Sequence, residues 1–181
     1  MRVARTEIAD VLIMEPRVFT DARGFFLESY NRRAFREAAG IDVEFVQDNH
    51  SRSARNVLRG LHYQVRQPQG KLVRVTLGEI WDVAVDLRAS SATFGKWVAS
   101  PLDAKSARCL WIPAGFAHGF LVLSEVAEVQ YKTTDYYAPE HERTLLWSDP
   151  ALAIPWPLGG EPLLAEKDRR GAPLAAAERF A

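Results

Sequence analysis

The stretch Lys71-Leu-Val-Arg-Val-Thr-Leu-Gly-Glu-Ile-Trp-Asp-Val-Ala-Val-Asp-Leu87 decides the fold class, because it contains two runs of alternating residues. In residues 73–77 every other side chain is apolar, and the same holds for residues 81–87. A period of two is typical of β-strands that bury one face. Gly78-Glu79 lies between the runs and is short enough for a hairpin connection. The stretch therefore predicts two paired antiparallel strands.

Similar short apolar segments recur along the chain and are separated by Gly, Pro, Asn or Asp. Residues 108–112 and 118–123 are two more such runs, on either side of a Pro-Gly break. Many short strands with turn residues between them are typical of an all-β sandwich or barrel. We predict that residues 1–181 form a single domain of this class.

Helices are the exception in this pattern. Residues 31–39 are predicted as a helix that Asn31 caps at its start and that ends at Gly40. A second short helix is predicted at residues 175–180. The Pro-rich residues 154–157 predict an extended tail that packs on the barrel.

Composition limits the classes of function. The chain of 181 residues has 23 basic and 23 acidic side chains, so no overall charge favours nucleic acid or an anionic membrane. The longest apolar run near the start is residues 11–14, too short for a signal peptide or a membrane span. Cys109 is the only cysteine, which excludes an internal disulfide and fits a reducing cytoplasm. We expect a cytoplasmic protein.

Three polar side chains break the alternation. Lys71 shares the parity of Val73, Tyr131 shares that of Val129, and His62 that of Leu58, so all three are predicted to point inward. Each has an ordinary explanation: a lysine at a strand end, a core tyrosine with a bonded hydroxyl, a satisfied core histidine. Three ionisable groups directed into one small barrel instead favour a functional cavity.

Strict alternation separates two residues that would be useful in one anion site. Through residues 57–62 it places Arg59 and His62 on opposite faces. Gly60 lies between them and is a suitable position for a β-bulge, which would turn one side chain to the other face.

A metal site is an alternative use of the histidines. The segment Pro113-Ala-Gly-Phe-Ala-His118 resembles the second metal motif of cupin enzymes. The first motif requires two nearby histidines, but Gln64 stands where the second should be. One isolated ligand per strand is too few to coordinate zinc or iron, so a metal-dependent cupin enzyme is the less favoured hypothesis.

The chain contains an ordered set of motifs: Gln47-Asp-Asn-His-Ser-Arg-Ser53, Val57-Leu-Arg-Gly-Leu-His-Tyr-Gln64, Gly70-Lys-Leu-Val-Arg74, Gly78-Glu79 with Asp82-Val-Ala-Val-Asp86, Ile112-Pro-Ala-Gly-Phe-Ala-His-Gly-Phe120, Tyr131-Lys132 and Lys167-Asp168. This set resembles the dTDP-4-dehydrorhamnose 3,5-epimerase family, from about Phe19 to Asp168. The resemblance implies a cupin-type jelly-roll barrel of antiparallel strands with a few short helices, a homodimer, and neither a metal nor an organic cofactor. Two departures are Ala165, where the family often has Ser, and Asn56, where Gly is common.

The resemblance also implies catalytic roles. His62 is the base that removes a proton next to a ketone, and Asp168 holds its imidazole, which should raise the basicity of the free ring nitrogen. Lys71 lies near the C4 oxygen, where its charge favours the enolate. Tyr131 is the acid that returns a proton to the opposite face of the sugar.

Further residues are implied to bind a dTDP-4-keto-6-deoxyhexose. Arginine suits the diphosphate because its planar guanidinium can donate two hydrogen bonds to phosphate oxygens. The segment between Phe19 and Glu28 often comes from the partner subunit in the family. Tyr136 and Tyr137 fill an aromatic position that influences which carbon is processed. The implied diphosphate residues are Arg23, Gln47, Asn49, Arg59 and His118, and those at the thymine are Phe19 and Glu28.

The leading hypothesis is therefore an isomerase acting at C3 and C5 of dTDP-4-dehydro-6-deoxy-D-glucose to give dTDP-4-dehydro-L-rhamnose. A close alternative is a 3-only or 5-only epimerase of an antibiotic-sugar pathway. Alternatives of other classes are the metal-dependent cupin enzyme and a sugar-nucleotide-binding protein without catalysis.

Overall fold

The computed structural model describes residues 1–181 and consists mainly of thirteen β-strands. In chain order these are β1 (Arg2–Arg5), β2 (Leu12–Glu15), β3 (Val18–Asp21), β4 (Gly24–Leu27), β5 (Gln47–Ala54), β6 (Leu58–Gln64), β7 (Lys71–Leu77), β8 (Glu79–Asp86), β9 (Trp97–Asp103), β10 (Cys109–Ile112), β11 (Phe116–Val122), β12 (Val126–Thr133) and β13 (Glu142–Thr144).

The strands form two large sheets and a separate hairpin. The first sheet has the order β1-β2-β10-β7-β12-β5, the second has the order β13-β6-β11-β8-β9, and β3 pairs only with β4. All pairs of neighbouring strands are antiparallel. The prediction of an all-β, cupin-type jelly-roll barrel is confirmed.

The predicted hairpin between β7 and β8 is wrong. These two strands lie in different sheets, where β7 pairs with β10 and β12, and β8 pairs with β11 and β9. Gly78 makes the corner between the sheets with a φ of +78°, and a Cβ there would lie 2.1 Å from the Val126 carbonyl oxygen. At this corner Leu77 is 45% exposed rather than part of the apolar face. Alternation identified both strands but could not identify their neighbours.

The second sheet packs against an apolar cluster on each of its two faces. Between the two sheets, one core contains residues such as Val73, Val129 and Ala84. The opposite face of the second sheet carries Val83 and Val85, which pack in a second cluster with Trp156 of the Pro-rich tail. The prediction that this tail packs on the barrel is therefore confirmed.

The longer predicted helix is confirmed and the second is not. Helix α1 spans Arg32–Ala39, the Asn31 side chain accepts a hydrogen bond from the Ala34 N–H, and Gly40 ends the helix with a φ of +71°. Helix α2 is a single turn, Glu166–Arg169. In place of a helix at residues 175–180 there is a 3₁₀ turn, Leu174–Ala176, and then extended chain whose Phe180 exchanges backbone hydrogen bonds with Leu87 and Ala89. None of the helices is long and apolar enough to cross a membrane.

A buried carboxylate joins β8 to the loop that follows it. Asp86 is 0% exposed and accepts hydrogen bonds from the backbone and guanidinium of Arg88 and from the hydroxyls of Ser91 and Thr93. Although burial opposes the charge, these donors lower the pKa of Asp86 to about 2. Since this pKa is below the unfolded value, the carboxylate stabilises the fold above about pH 4, and this contribution is lost as the pH falls through about 2.

We expect Asp86→Asn to lower the free energy of unfolding by about 3 kcal/mol near pH 7, because it leaves a partly buried guanidinium with one carboxylate fewer. Urea unfolding measures this loss. The control is Asp42→Asn, which removes exposed ion pairs to Arg32 and Arg36 and should change stability by less than about 1 kcal/mol. Equal effects of the two substitutions would contradict the stabilising role of Asp86.

Candidate active site

A cavity of about 330 Å³ opens between the two sheets. Its walls come from β5, β7 and β12 of the first sheet, β6, β11 and β13 of the second, and α2. Nine of the twelve residues that the sequence predicted for the site line it. They are His62, Lys71, Tyr131 and Asp168 of the predicted catalytic set, and Gln47, Asn49, Arg59, His118 and Tyr137 of the predicted binding set.

His62 and Asp168 form a close pair. Nε2 of His62 lies 2.5 Å from Oδ1 of Asp168, whose side chain is 3% exposed at the turn of α2. This hydrogen bond fixes the ring and leaves Nδ1 as the free nitrogen. An imidazole held in this way presents a defined nitrogen to a bound molecule.

Asp168 raises the pKa of His62, as the sequence predicted, but the net shift of that pKa is downward. Desolvation lowers the pKa of His62, and the hydrogen bond and charge of Asp168 oppose that fall without cancelling it. Lys167 and Lys71 lower the pKa further by repulsion. The imidazole is therefore neutral at neutral pH, which is the protonation state that a base requires.

Arg59 and His62 both line the cavity because β6 carries one extra residue. In the pairing of β6 with β11, Arg59 lies opposite Phe120 and His62 opposite His118, so three steps along one strand match two along the other. Gly60 takes up this shift with a φ of +121°, and a Cβ there would lie 2.6 Å from Gly119 Cα. The bulge predicted at Gly60 is confirmed, and its physical basis is this close approach of two backbones.

Lys71 is a buried cation on the first sheet. Its Nζ lies 3.4 Å from the carbonyl oxygen of His62, and the residue is 9% exposed. Desolvation lowers the pKa of Lys71 to about 8, against the attraction of Asp82 and Glu142. The amine is thus largely protonated at neutral pH and loses its charge in the mildly alkaline range.

Tyr131 faces the cavity from the wall opposite His62. It lies on β12 of the first sheet, between Val73 and Asn49 of the neighbouring strands, whereas His62 belongs to the second sheet. Burial raises the pKa of Tyr131, while the charge of Arg59 opposes that rise. The phenol therefore stays protonated at neutral pH and can donate a proton.

His118 is also held by a carboxylate. Its Nε2 lies 2.9 Å from both oxygens of Asp82, and the two side chains are 7% and 0% exposed. Only Nδ1 of His118 is therefore free for the predicted contact with phosphate.

Sequence reasoning assigned no role to several polar residues at the site. Ser51, Glu142 and Lys167 line the cavity, and Asp82 pairs with His118 of the cavity wall. Asp82 alternates with the apolar residues of β8, a position that usually faces solvent, but both faces of β8 are buried and Asp82 is 0% exposed. Glu142 and Lys167 form an ion pair of 2.9 Å at the cavity. The Lys167-Asp168 motif was the available signal for Lys167, whereas nothing in the sequence singles out Glu142.

Three predicted binding residues lie outside the cavity. Phe19 and Arg23 belong to the β3–β4 hairpin and Glu28 follows it directly. The hairpin is open to solvent, with Phe19 47%, Phe25 70% and Phe26 71% exposed. Within one chain these residues do not complete the site.

Nothing in residues 1–181 groups three or more His, Cys, Asp or Glu side chains in positions to hold a metal ion. The histidine of the cupin-like segment, His118, is paired with Asp82 instead.

The sequence matches the family described as dTDP-4-dehydrorhamnose 3,5-epimerase over residues 5–176. It is 66% identical over 180 residues to a dTDP-4-dehydrorhamnose 3,5-epimerase of Pseudomonas aeruginosa, covering 99% of each chain. The fold is similar to a solved dTDP-6-deoxy-D-glucose-3,5-epimerase of Legionella pneumophila in complex with dTDP-4-keto-L-rhamnose, with a TM-score of 0.96, 50% identity and coverage of 98% and 94%. It is also similar to a 3'-monoepimerase of Streptomyces bikiniensis in complex with dTDP-quinovose, with a TM-score of 0.89, 35% identity and coverage of 97% and 88%.

Proposed function

The chain belongs to the dTDP-4-dehydrorhamnose 3,5-epimerase family and is an isomerase, and we propose that the cavity between its sheets is where C3 and C5 of dTDP-4-dehydro-6-deoxy-D-glucose are epimerised. The observation that carries this proposal is the placement of His62 and Tyr131 on opposite walls of one cavity. Epimerisation needs a base on one face of the sugar and an acid on the other.

In the first step, Nδ1 of neutral His62 takes the proton from the carbon next to the C4 ketone. The electron pair of the C–H bond moves into the ring and on to the C4 oxygen, which becomes an enolate. Asp168 stabilises the imidazolium that forms, as a buried carboxylate does for a histidine base. Lys71, protonated near neutral pH, stabilises the enolate oxygen by its charge.

In the second step, the Tyr131 hydroxyl donates its proton to the same carbon from the opposite face. The enolate returns to the ketone, and the carbon now has the inverted configuration. His62 has gained a proton and Tyr131 has lost one, so exchange with solvent must restore both before the next inversion. Repetition at the second carbon flanking the ketone gives dTDP-4-dehydro-L-rhamnose.

The substrate assignment is tested by incubation with dTDP-4-dehydro-6-deoxy-D-glucose in deuterated water. We expect NMR to show deuterium at both C3 and C5, because each inversion delivers a proton that comes from solvent. Exchange at neither carbon would rule out the proposed function. Exchange at C3 alone would instead indicate a 3-epimerase, a second candidate that the similarity to the Streptomyces bikiniensis monoepimerase supports.

The nucleotide end of the site is proposed to need a homodimer. Gln47, Asn49 and Arg59 line the cavity and are suited to the diphosphate. The hairpin residues proposed for the diphosphate and thymine, Arg23 and Phe19, do not reach it, and the hairpin is apolar and exposed. Both facts are explained if the hairpin of one subunit completes the cavity of its partner.

Mixing two inactive variants tests this arrangement. Arg23→Ala and His62→Ala should each be nearly inactive alone. After joint unfolding and refolding in equal amounts, about a quarter of the wild-type activity should return, because half of the dimers are mixed and each of these has one complete site of two. The control is each variant refolded alone. Absence of recovery in dimers verified by mass would mean that Arg23 acts within its own chain or not at all.

A further inference from the structure

The hydroxyl of Ser51 is buried at the cavity without a hydrogen-bond partner. Its oxygen has less than 1 Å² of accessible surface and no partner in the structure, while Ser51 itself lines the cavity. Only one other buried side-chain polar atom of residues 1–181 shares this state, the indole nitrogen of Trp81. An unpaired buried hydroxyl is unfavourable for folding, so its position in the cavity wall calls for an explanation.

The neighbours of Ser51 indicate what its partner would be. Alternate residues of β5 share one face, and on this face Ser51 lies between Asn49 and Ser53. On one side, Gln47 donates to the Asn49 side chain at 2.9 Å. On the other, Nε of Arg59 donates to the Ser53 hydroxyl at 3.0 Å. Ser51 is therefore the one residue of this row whose side chain has no hydrogen-bond partner.

We infer that Ser51 is a substrate-binding residue whose hydroxyl donates a hydrogen bond to a phosphate oxygen of the nucleoside diphosphate. The inference rests on the proposed function, in which Gln47, Asn49 and Arg59 bind the diphosphate on both sides of Ser51. A serine side chain has a single rotatable C–C bond, so a change of rotamer turns the hydroxyl from the wall into the cavity. A phosphate oxygen is a strong acceptor and supplies the missing partner.

The test combines a binding measurement with a stability measurement. For Ser51→Ala, titration calorimetry with dTDP should show about tenfold weaker binding than wild type, the loss expected for a hydrogen bond to a charged group. The variant should unfold in urea at the same concentration as wild type or a higher one, because alanine removes an unpaired buried hydroxyl. Ser51→Thr retains the hydroxyl and should bind dTDP within about threefold of wild type.

The matched control is Ser100→Ala, which removes another buried hydroxyl, at 6% exposure, on β9 away from the cavity. It should leave dTDP affinity unchanged. Unchanged dTDP affinity in Ser51→Ala would overturn the inference, and slower turnover with unchanged affinity would place the hydroxyl at the sugar or at Tyr131 instead. Failure of wild type to bind dTDP would count against the proposed function rather than against Ser51 alone.

Discussion

Replacing His62 by alanine is expected to lower turnover by about 10³-fold, because the cavity then holds no base on that face of the sugar. Binding of dTDP should stay within about threefold of wild type, since His62 faces the hexose rather than the nucleotide in the proposed arrangement. Turnover is measured by deuterium incorporation at C3 and C5, and affinity by calorimetry. This combination separates a catalyst from a protein that only binds the sugar nucleotide.

His50→Ala is the matched control, because His50 lies on the solvent-facing side of β5, 50% exposed, and is paired with Glu128. It should turn over at the wild-type rate. If His62→Ala kept most of its activity, another group would have to be the base.

The pH profile gives an independent check on the His62–Asp168 pair. With the pKa of His62 lowered by burial, kcat/KM of wild type should rise with pH along a limb centred below about 6.5. Asp168 raises that pKa, so Asp168→Asn should move the limb to lower pH as well as reduce the rate. A shift in the opposite direction would contradict the role of Asp168 as the partner of the imidazole.

Lys71→Met is expected to lower turnover by about 10²- to 10³-fold, because it removes the only buried cation proposed to face the enolate oxygen. The same substitution should increase the free energy of unfolding, by about 3 kcal/mol, because the pKa of Lys71 is about 8 in the fold against 10.5 as its ordinary value. The sign follows from linkage: a lysine whose pKa is lowered by folding destabilises the fold at neutral pH. Urea unfolding and the exchange assay measure the two effects.

The alkaline limb of the wild-type profile should fall near pH 8, where Lys71 loses its charge. Lys71→Arg should remove this limb, since a guanidinium stays protonated, although its different shape will reduce the rate. Lys105→Met, at an exposed position, is the control and should change neither profile nor stability. A Lys71→Met variant that is both inactive and less stable would indicate that the lysine is mainly structural.

Much of the fold could be predicted from local sequence patterns. Alternation identified β7 and β8, and the cap residues Asn31 and Gly40 identified α1, because these signals depend only on side chains a few positions apart. The pairing of strands could not be predicted from the sequence. Gly78 can form a tight hairpin or a corner between sheets, and the choice depends on which distant strands offer a free edge.

The residues of the site also divide into those that local sequence patterns predicted and those that only the tertiary structure placed. The sequence by itself determined that His62, Lys71 and Tyr131 would point inward and that Gly60 could carry a bulge, because parity and glycine geometry are local properties. Only the tertiary structure decided that Asp82 is buried between the sheets as the partner of His118, since the outer face of β8 is covered by a tail far away in sequence. It also decided the net pKa shift of His62, in which burial outweighs Asp168. Desolvation depends on every atom packed around a group, and no local stretch of sequence contains that information.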